Sequence, residues 1–316
     1  YKDQHADIFK PHEHKIAWIT CEPPADWEGQ RSKIWEREED MRLSVSSKIK
    51  DDINSGILPS SNNAILVHTD ADEIPDPKVL EELRPGKKWH AAVLEFPRQL
   101  EMAFFYFNFN WAFGNWFKGH VISAQHFFEG KHGNLRNIEK KRPRIPNAGF
   151  HLTYGSSVDD IIRKLESFSH QEFNKPKFKS REHIMKSIQN EENLFYRTWE
   201  HGVHYNYTQL PVTLQKFHED LCEVQGVSPD TGKVLNVSNS DGTDGAVADL
   251  AVKNDVGDSV EPLFAIIDCI MYNGESIVPA RLETLNATVD RFYITESSVT
   301  FSGNKKEKLY KDQHAD

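Results

Sequence analysis

Cysteine is scarce. Cys21, Cys222 and Cys269 are the only three, widely spaced and without a CxxC pair, which excludes a zinc ribbon and leaves no disulfide framework. Long apolar runs are missing too, and none approaches the roughly 18 residues of a membrane span. Basic residues are outnumbered, 38 Lys and Arg against 48 Asp and Glu for a net charge of −10, which argues against a nucleic-acid partner. No short period repeats inside the chain, so a solenoid is excluded. No signal peptide is visible, but the chain opens on Tyr1 rather than Met, so this absence says nothing about compartment.

What is present fits one globular domain plus a spacer. Over 316 residues, 38% hydrophobic and 11% aromatic content supports a sizeable core. Segment 226–261 holds seven acidic and two basic residues and no Phe, Tyr or Trp. Such a stretch cannot bury enough apolar surface to order itself and reads as a flexible acidic linker. The two ends carry the same heptapeptide: Tyr1-Lys2-Asp3-Gln4-His5-Ala6-Asp7 recurs as Tyr310-Lys311-Asp312-Gln313-His314-Ala315-Asp316. Either the chain is a circular permutant with a small overlap, or it is one period of a tandem array. In both, residue 316 precedes Ile8 in the parental order.

Read in that order, strands and helices alternate. Strands are expected at 263–267, 291–296, 15–20 and 64–67, with helices over 277–285 and about 32–53. Trp35, Met41, Val45 and Ile49 mark the stripe of the second helix, and Arg281 and Glu283 are polar positions of the first. Strands separated by helices imply a mainly parallel sheet that binds ligands at the carboxyl ends of its strands. At one such end, after the apolar run Ala64-Ile65-Leu66-Val67, stands His68-Thr69-Asp70-Ala71-Asp72-Glu73-Ile74-Pro75. Two carboxylates two residues apart can turn towards one divalent ion, and oxygen donors suit Mg²⁺ and Mn²⁺. The same letters also fit a plain acidic turn.

Further pieces make the pattern specific. They are Val289-Asp290-Arg291-Phe292-Tyr293-Ile294-Thr295-Glu296-Ser297 with Ser302-Gly303 and Lys306, then Trp35-Glu36-Arg37-Glu38 and Arg42. Ala148-Gly149-Phe150-His151-Leu152-Thr153-Tyr154 and the run from Lys164 to Phe173 complete the set. Together with Asp70–Pro75 they resemble glycosyltransferase family 17, the family of the bisecting N-acetylglucosaminyltransferases. Phe150 departs from it, standing where the family pattern has Trp.

The resemblance implies a GT-A-type α/β fold in circularly rotated order, with a mainly parallel central sheet flanked by helices. Residues 262–316 would be its amino-terminal part, carrying the first strands of the nucleotide-binding half. Residues 1–225 would be the larger carboxyl-terminal part with the Asp-x-Asp motif. A linker as long as 226–261 spans about 33 Å, enough to reach round a body whose radius of gyration is about 18 Å. The implied reaction moves N-acetylglucosamine from UDP-N-acetylglucosamine to a mannose hydroxyl of a glycan, with inversion and a β-1,4 linkage. The implied cofactor is Mn²⁺ or Mg²⁺ on Asp70 and Asp72, and the implied compartment the Golgi lumen, with the cytoplasm as alternative. Sequons at Asn206, Asn236 and Asn286 are a faint hint of the secretory pathway. Further linked copies of the domain would be its neighbours.

Inversion also needs a base on the acceptor side. Glu172 is preferred over Glu166, Asp159 and Asp160, each of which equally suits a solvated helix carboxylate. Ser157 can cap a helix there, which explains Asp159 and Asp160 through the helix dipole alone. Asp72 joins Glu172 as a catalytic candidate. Substrate-binding candidates are Glu296 for ribose or uracil, His151 for donor or acceptor, Lys164 and His170 for the diphosphate, and Glu73. The aromatic run from Phe104 to Trp111 suits a core better than a sugar platform, although Trp111 or Trp116 could stack on a pyranose. The basic stretch 140–144 reads as an exposed loop. A non-catalytic repeat that binds glycan or nucleotide-sugar is the second reading; the presence of Asp70, Asp72 and Glu73 together favours the enzyme. A haloacid-dehalogenase-like phosphatase is set aside, because Glu73-Ile74-Pro75 replaces the hydroxyl or glycine pattern it needs.

Overall fold

The structure, a computed structural model, describes residues 9–27, 30–130, 142–196, 202–234 and 263–306. Both terminal heptapeptides lie outside these. The described strands are β1 (Ile16–Cys21), β2 (Ala64–Asp70), β3 (Glu73–Pro75), β4 (Arg98–Leu100), β5 (Met102–Tyr106) and β6 (Trp111–Trp116). They continue with β7 (His120–Ser123), β8 (Arg144–Ile145), β9 (Gly149–Thr153), β10 (Val203–His204), β11 (Ala265–Tyr272) and β12 (Arg291–Ser297). A seven-stranded sheet runs β1-β12-β11-β2-β7-β4-β8. Its first four strands are mutually parallel, and β7 returns antiparallel against β2. The strands expected at 263–267 and 291–296 therefore lie between those expected at 15–20 and 64–67, in one sheet.

These central strands are nearly all apolar because both their faces are covered. Alternation sends Ile65, Val67, Ile266, Ile270, Phe292 and Ile294 to one face, against Val278, Leu282 and Leu285 of the helix Val278–Leu285. Ala64, Leu66, Ala265, Ile267 and Tyr293 face the other way, against Val45 and Ile49 of the helix Val45–Asn54. The result is a mixed α/β body with helices on both sides of the sheet.

A second, mainly antiparallel sheet of five strands, β10-β6-β5-β9-β3, was not legible in the sequence. The aromatic run builds it: Phe104 and Tyr106 pack on one face, Phe105 and Phe109 on the other. The expected helix over 32–53 is two helices, Ile34–Leu43 and Val45–Asn54, which meet at Ser44. Met41, Val45 and Ile49 are buried, whereas Trp35 is 54% exposed. Trp35 stands about 120° round the helix from Met41 and so falls off the stripe, where Ile34 takes its place. In the basic stretch, Arg142 is buried rather than exposed, lying over the Phe96 ring; Lys140 and Lys141 lie outside the described residues.

The expected linker starts inside the folded body. Val227 is buried, the Ser228 amide donates to Lys233 O, and Pro229 O accepts from His218 Nε2 at 2.9 Å. The rest of that segment, from 235 to 262, lies outside the described residues. All three cysteines are free and buried. Among the described residues no helix is long and apolar enough to cross a membrane.

Glu191 supplies a pH dependence. It caps the helix Arg181–Asn190 in the left-handed region at φ 58°, close against Gly232 of the 226–234 segment. Burial pushes its carboxyl from 4.5 to about 7, with His204 and Lys233 pulling the other way. Between those two pH values the folded chain keeps a proton that the unfolded chain has released. The stabilisation is complete below pH 4.5 and lost as pH rises through about 7. Glu191→Gln is expected to raise the melting temperature by a few degrees at pH 8, about 2–4 °C per kcal/mol, and to change nothing at pH 4. Equal effects at both values would contradict the assignment.

Candidate active site

The parallel strands end along one edge, where register sets Asp70 of β2 beside Met271 of β11, and Glu296 of β12 beside Tyr272. Asp70 and Glu296 thus share this carboxyl edge, about two strand spacings or 10 Å apart. Beyond Asp70 the chain turns through Ala71 and Asp72 and re-enters as β3, pairing Glu73 with His151 of β9. Asp70 and Asp72 are 25% and 13% exposed at their side chains. Asp70 Oδ1 accepts from Arg42 Nη2 at 3.0 Å, and Arg42 also pairs with Glu38. Asp72 Oδ2 accepts from Lys164 Nζ at 2.9 Å, and its Oδ1 lies 4.0 Å from His151 Nε2.

The helix Val158–Ser167 delivers Lys164. Ser157 caps it by accepting from the Asp160 amide, and Val158, Ile161 and Leu165 bury its inner stripe. Asp159 and Asp160 lie in that first turn, paired with Arg181 and with Arg163 and Ser157.

Electrostatics keep this cluster charged where it matters. Burial opposes ionisation of Asp72, but the Lys164 ammonium outweighs it and holds the carboxyl below its usual range. Burial likewise works against the Lys164 ammonium, and Asp72 with Glu275 outweighs it, so Lys164 stays protonated. Burial lowers His151, which Asp72 and Glu73 only partly offset, so the imidazole is neutral at pH 7. It packs edge-on to Trp116 at 4.3 Å between ring centroids. Glu275, just past β11, is raised by burial beside Lys164. Lys306 is lowered by burial and lies 3.7 Å from Glu296.

The structure therefore gathers Asp70, Asp72, Glu73, His151 and Lys164 around one turn, with Glu296 on the same edge. Glu73 differs from its expected substrate-binding place. It is fully buried, with Oε2 accepting the Asp70 amide at 2.9 Å and Oε1 the Trp116 indole N–H. Both oxygens brace the turn from inside. His170 and Glu172 form an exposed pair of their own, 2.8 Å apart, past the end of the Lys164 helix. Trp35 meets the edge of His170 at 5.1 Å.

Sequence reasoning gave no role to Glu275, Lys306 or Arg42, and read Arg281 as a polar helix position. A signal for Arg281 existed: with Val278, Leu282 and Leu285 it occupies the i, i+3, i+4, i+7 stripe of an otherwise apolar face. Asp268, inside the apolar strand β11, called for a buried cation. The two are paired, both fully buried.

An acidic turn flanked by cations at the carboxyl edge of a parallel sheet is suited to a charged, phosphate-bearing ligand. The family model described as Glycosyltransferase family 17 matches residues 1–225. The chain belongs to that family and is a glycosyltransferase, acting between a sugar donor and an acceptor. No curated protein and no solved structure matches it. The family match covers β1 to β10, whereas β11, β12, Glu275, Arg281, Glu296 and Lys306 stand outside it.

Proposed function

We propose that the chain is a metal-dependent, inverting hexosaminyltransferase that moves N-acetylglucosamine from UDP-N-acetylglucosamine to a mannose hydroxyl of a glycan in β-1,4 linkage. The observation that carries this reading is the pair Asp70 and Asp72, partly exposed on the sheet edge and faced by Arg42 and Lys164. The sheet supports a rotated GT-A-type order. Counted from residue 263, the strands at 265–272, 291–297, 16–21 and 64–70 lie side by side as 3-2-1-4, the order of a nucleotide-binding half. The Golgi lumen and linked copies of the same domain belong to the same reading.

The donor set fits Mn²⁺ or Mg²⁺. Both ligands are carboxylates, and such ions commonly take one or two carboxylates and complete their shell with substrate phosphates and water. Among the described residues no three His, Cys, Asp or Glu side chains are grouped to hold an ion alone, so substrate phosphates and water would have to complete the shell. A divalent ion on Asp70 and Asp72 would supply Lewis-acid neutralisation of the departing diphosphate. Lys164 and Arg42 add positive charge on the same side, and Lys306 sits with Glu296 where ribose or uracil would lie. Neutral His151 offers a hydrogen bond to donor or acceptor without adding charge.

The acceptor base in this reading is Glu172, open to solvent and oriented by His170. Recombinant protein should show Mn²⁺-dependent thermal stabilisation by UDP-N-acetylglucosamine above that by other UDP-sugars. Glu172→Gln should then lower turnover by about a hundredfold with donor affinity kept. No metal-dependent preference among UDP-sugars would overturn the donor and metal assignment. Near-normal turnover in the variant would move the base to Glu275, the carboxylate beside Lys164.

A further inference from the structure

Arg281 heads the fully buried side chains by volume, and every N–H of its guanidinium is used. Nε donates to Asp268 Oδ2 at 2.9 Å, and Nη2 to Asp268 Oδ1 at 2.6 Å and Thr69 Oγ1 at 2.5 Å. Nη1 donates to Asp70 O at 2.6 Å and Glu73 O at 2.7 Å, with Ala71 O at 3.5 Å. The remaining carbonyl of the turn, Asp72 O, accepts from the Leu152 amide at 2.9 Å. So the carbonyls of residues 70 to 73 all point inward, three to one guanidinium and one to β9. With the backbone held that way and Glu73 folded underneath, the Asp70 and Asp72 carboxylates emerge on the opposite side, towards Arg42 and Lys164.

This geometry is more than a buried ion pair needs. Asp268 alone would neutralise Arg281, and a buried ion pair by itself is often no more stable than an apolar pair of similar volume. What the guanidinium adds is a rigid fork that reads three backbone carbonyls of one turn, those of residues 70, 71 and 73. It also comes from beyond the 235–262 segment, on a helix outside the family match.

We propose that Arg281 is a positioning residue for the acidic turn. By fixing the carbonyls of residues 70, 71 and 73 it sets the separation and direction of the Asp70 and Asp72 carboxylates. Donor binding therefore depends on residues 263–306 being docked in the sheet. The proposal rests on the metal-and-donor reading of Asp70 and Asp72 for its consequence, though not for its geometry.

The test uses the full chain. Arg281→Lys keeps a charge opposite Asp268 but cannot reach both Asp268 and the turn. Loss of such a support behind a metal ligand typically weakens metal affinity about 10- to 100-fold. Mn²⁺ affinity in the presence of UDP should fall by about that factor, with acceptor KM unchanged. In the ligand-free protein, amide exchange in 69–75 should accelerate while 265–270 and 291–296 keep their protection. Asp268→Asn is the control: it removes the ion pair but leaves the fork on the turn, so it should lower the melting temperature and keep Mn²⁺ affinity. Wild-type Mn²⁺ affinity and exchange in Arg281→Lys would overturn the proposal. So would losses of affinity that simply track melting temperature in both variants. If Arg281→Lys does not fold, exchange in the wild-type chain decides: a turn protected like β2 supports the clamp, and one exchanging like the exposed 54–57 turn overturns it. If the wild type shows no metal-dependent donor binding, the functional reading fails, while exchange at 69–75 still judges the clamp.

Discussion

Asp72→Asn is expected to abolish the Mn²⁺-dependent gain in UDP-sugar affinity and to lower turnover by about a thousandfold or more. Several kcal/mol of charge stabilisation on a leaving diphosphate corresponds to a factor of that order. The fold should survive, because the side chain lies in a two-residue turn, Asn keeps its volume, and the carbonyl that β9 needs is untouched. Lys164 would lose its partner on Asp72, but its side chain is 28% exposed and has Glu275 beside it. Titration of Mn²⁺ and UDP-N-acetylglucosamine against the variant, with circular dichroism as the check on folding, measures both effects. Unchanged metal-linked binding would leave Asp70-Ala71-Asp72 as an acidic turn and nothing more.

Gly149→Ala is the second large effect, and it acts on stability. Gly149 has φ 147°, and a Cβ there would stand 2.2 Å from Ile74 O and 2.8 Å from Pro75 Cα. Both contacts are backbone of β3, directly across from Gly149 in the register. No side chain can swing away to make room, so β3 and β9 must part. Backbone strain of about 1–3 kcal/mol and overpacking of about 1–3 kcal/mol together remove a large share of an ordinary domain's stability. A fall in melting temperature of about 10 °C or more is expected. Since the same pairing sets His151 opposite Glu73, activity should be lost even where the variant remains folded. A loss below about 1 kcal/mol would show that the strands do not approach as closely as described.

The contrast between these two residues shows how much of the site was legible in the chain. Asp70 and Asp72 announce themselves, because an acidic pair after an apolar run of strand length is a local pattern. Lys164 was readable as a helix residue, since Ser157 and the apolar stripe fix that helix without reference to anything distant. Glu73 was misread. Its neighbours in sequence are the acidic turn, and only Trp116, far along the chain, shows that its carboxylate faces inward. Trp35 was misplaced because four apolar residues over a long window were read as one stripe. The break at Ser44 and the true phase set by Ile34 put it outside. The second sheet escaped for a similar reason: short strands such as β3 and β10 have too few residues to show a period.

By itself the sequence determined the α/β class, the central strands and their partner helices, the acidic turn at a strand end and the family. Each of these rests on patterns within a dozen residues, where hydrophobic periodicity and capping act. Tertiary structure alone decided which carboxylates face outward and which face in. That choice belongs to Arg281 with Asp268, to Glu73 with Trp116, and to the pairing of β3 with β9. All three join segments far apart in the chain. A buried guanidinium or carboxylate must find its hydrogen-bond partners wherever packing brings them, and no local pattern records where that is.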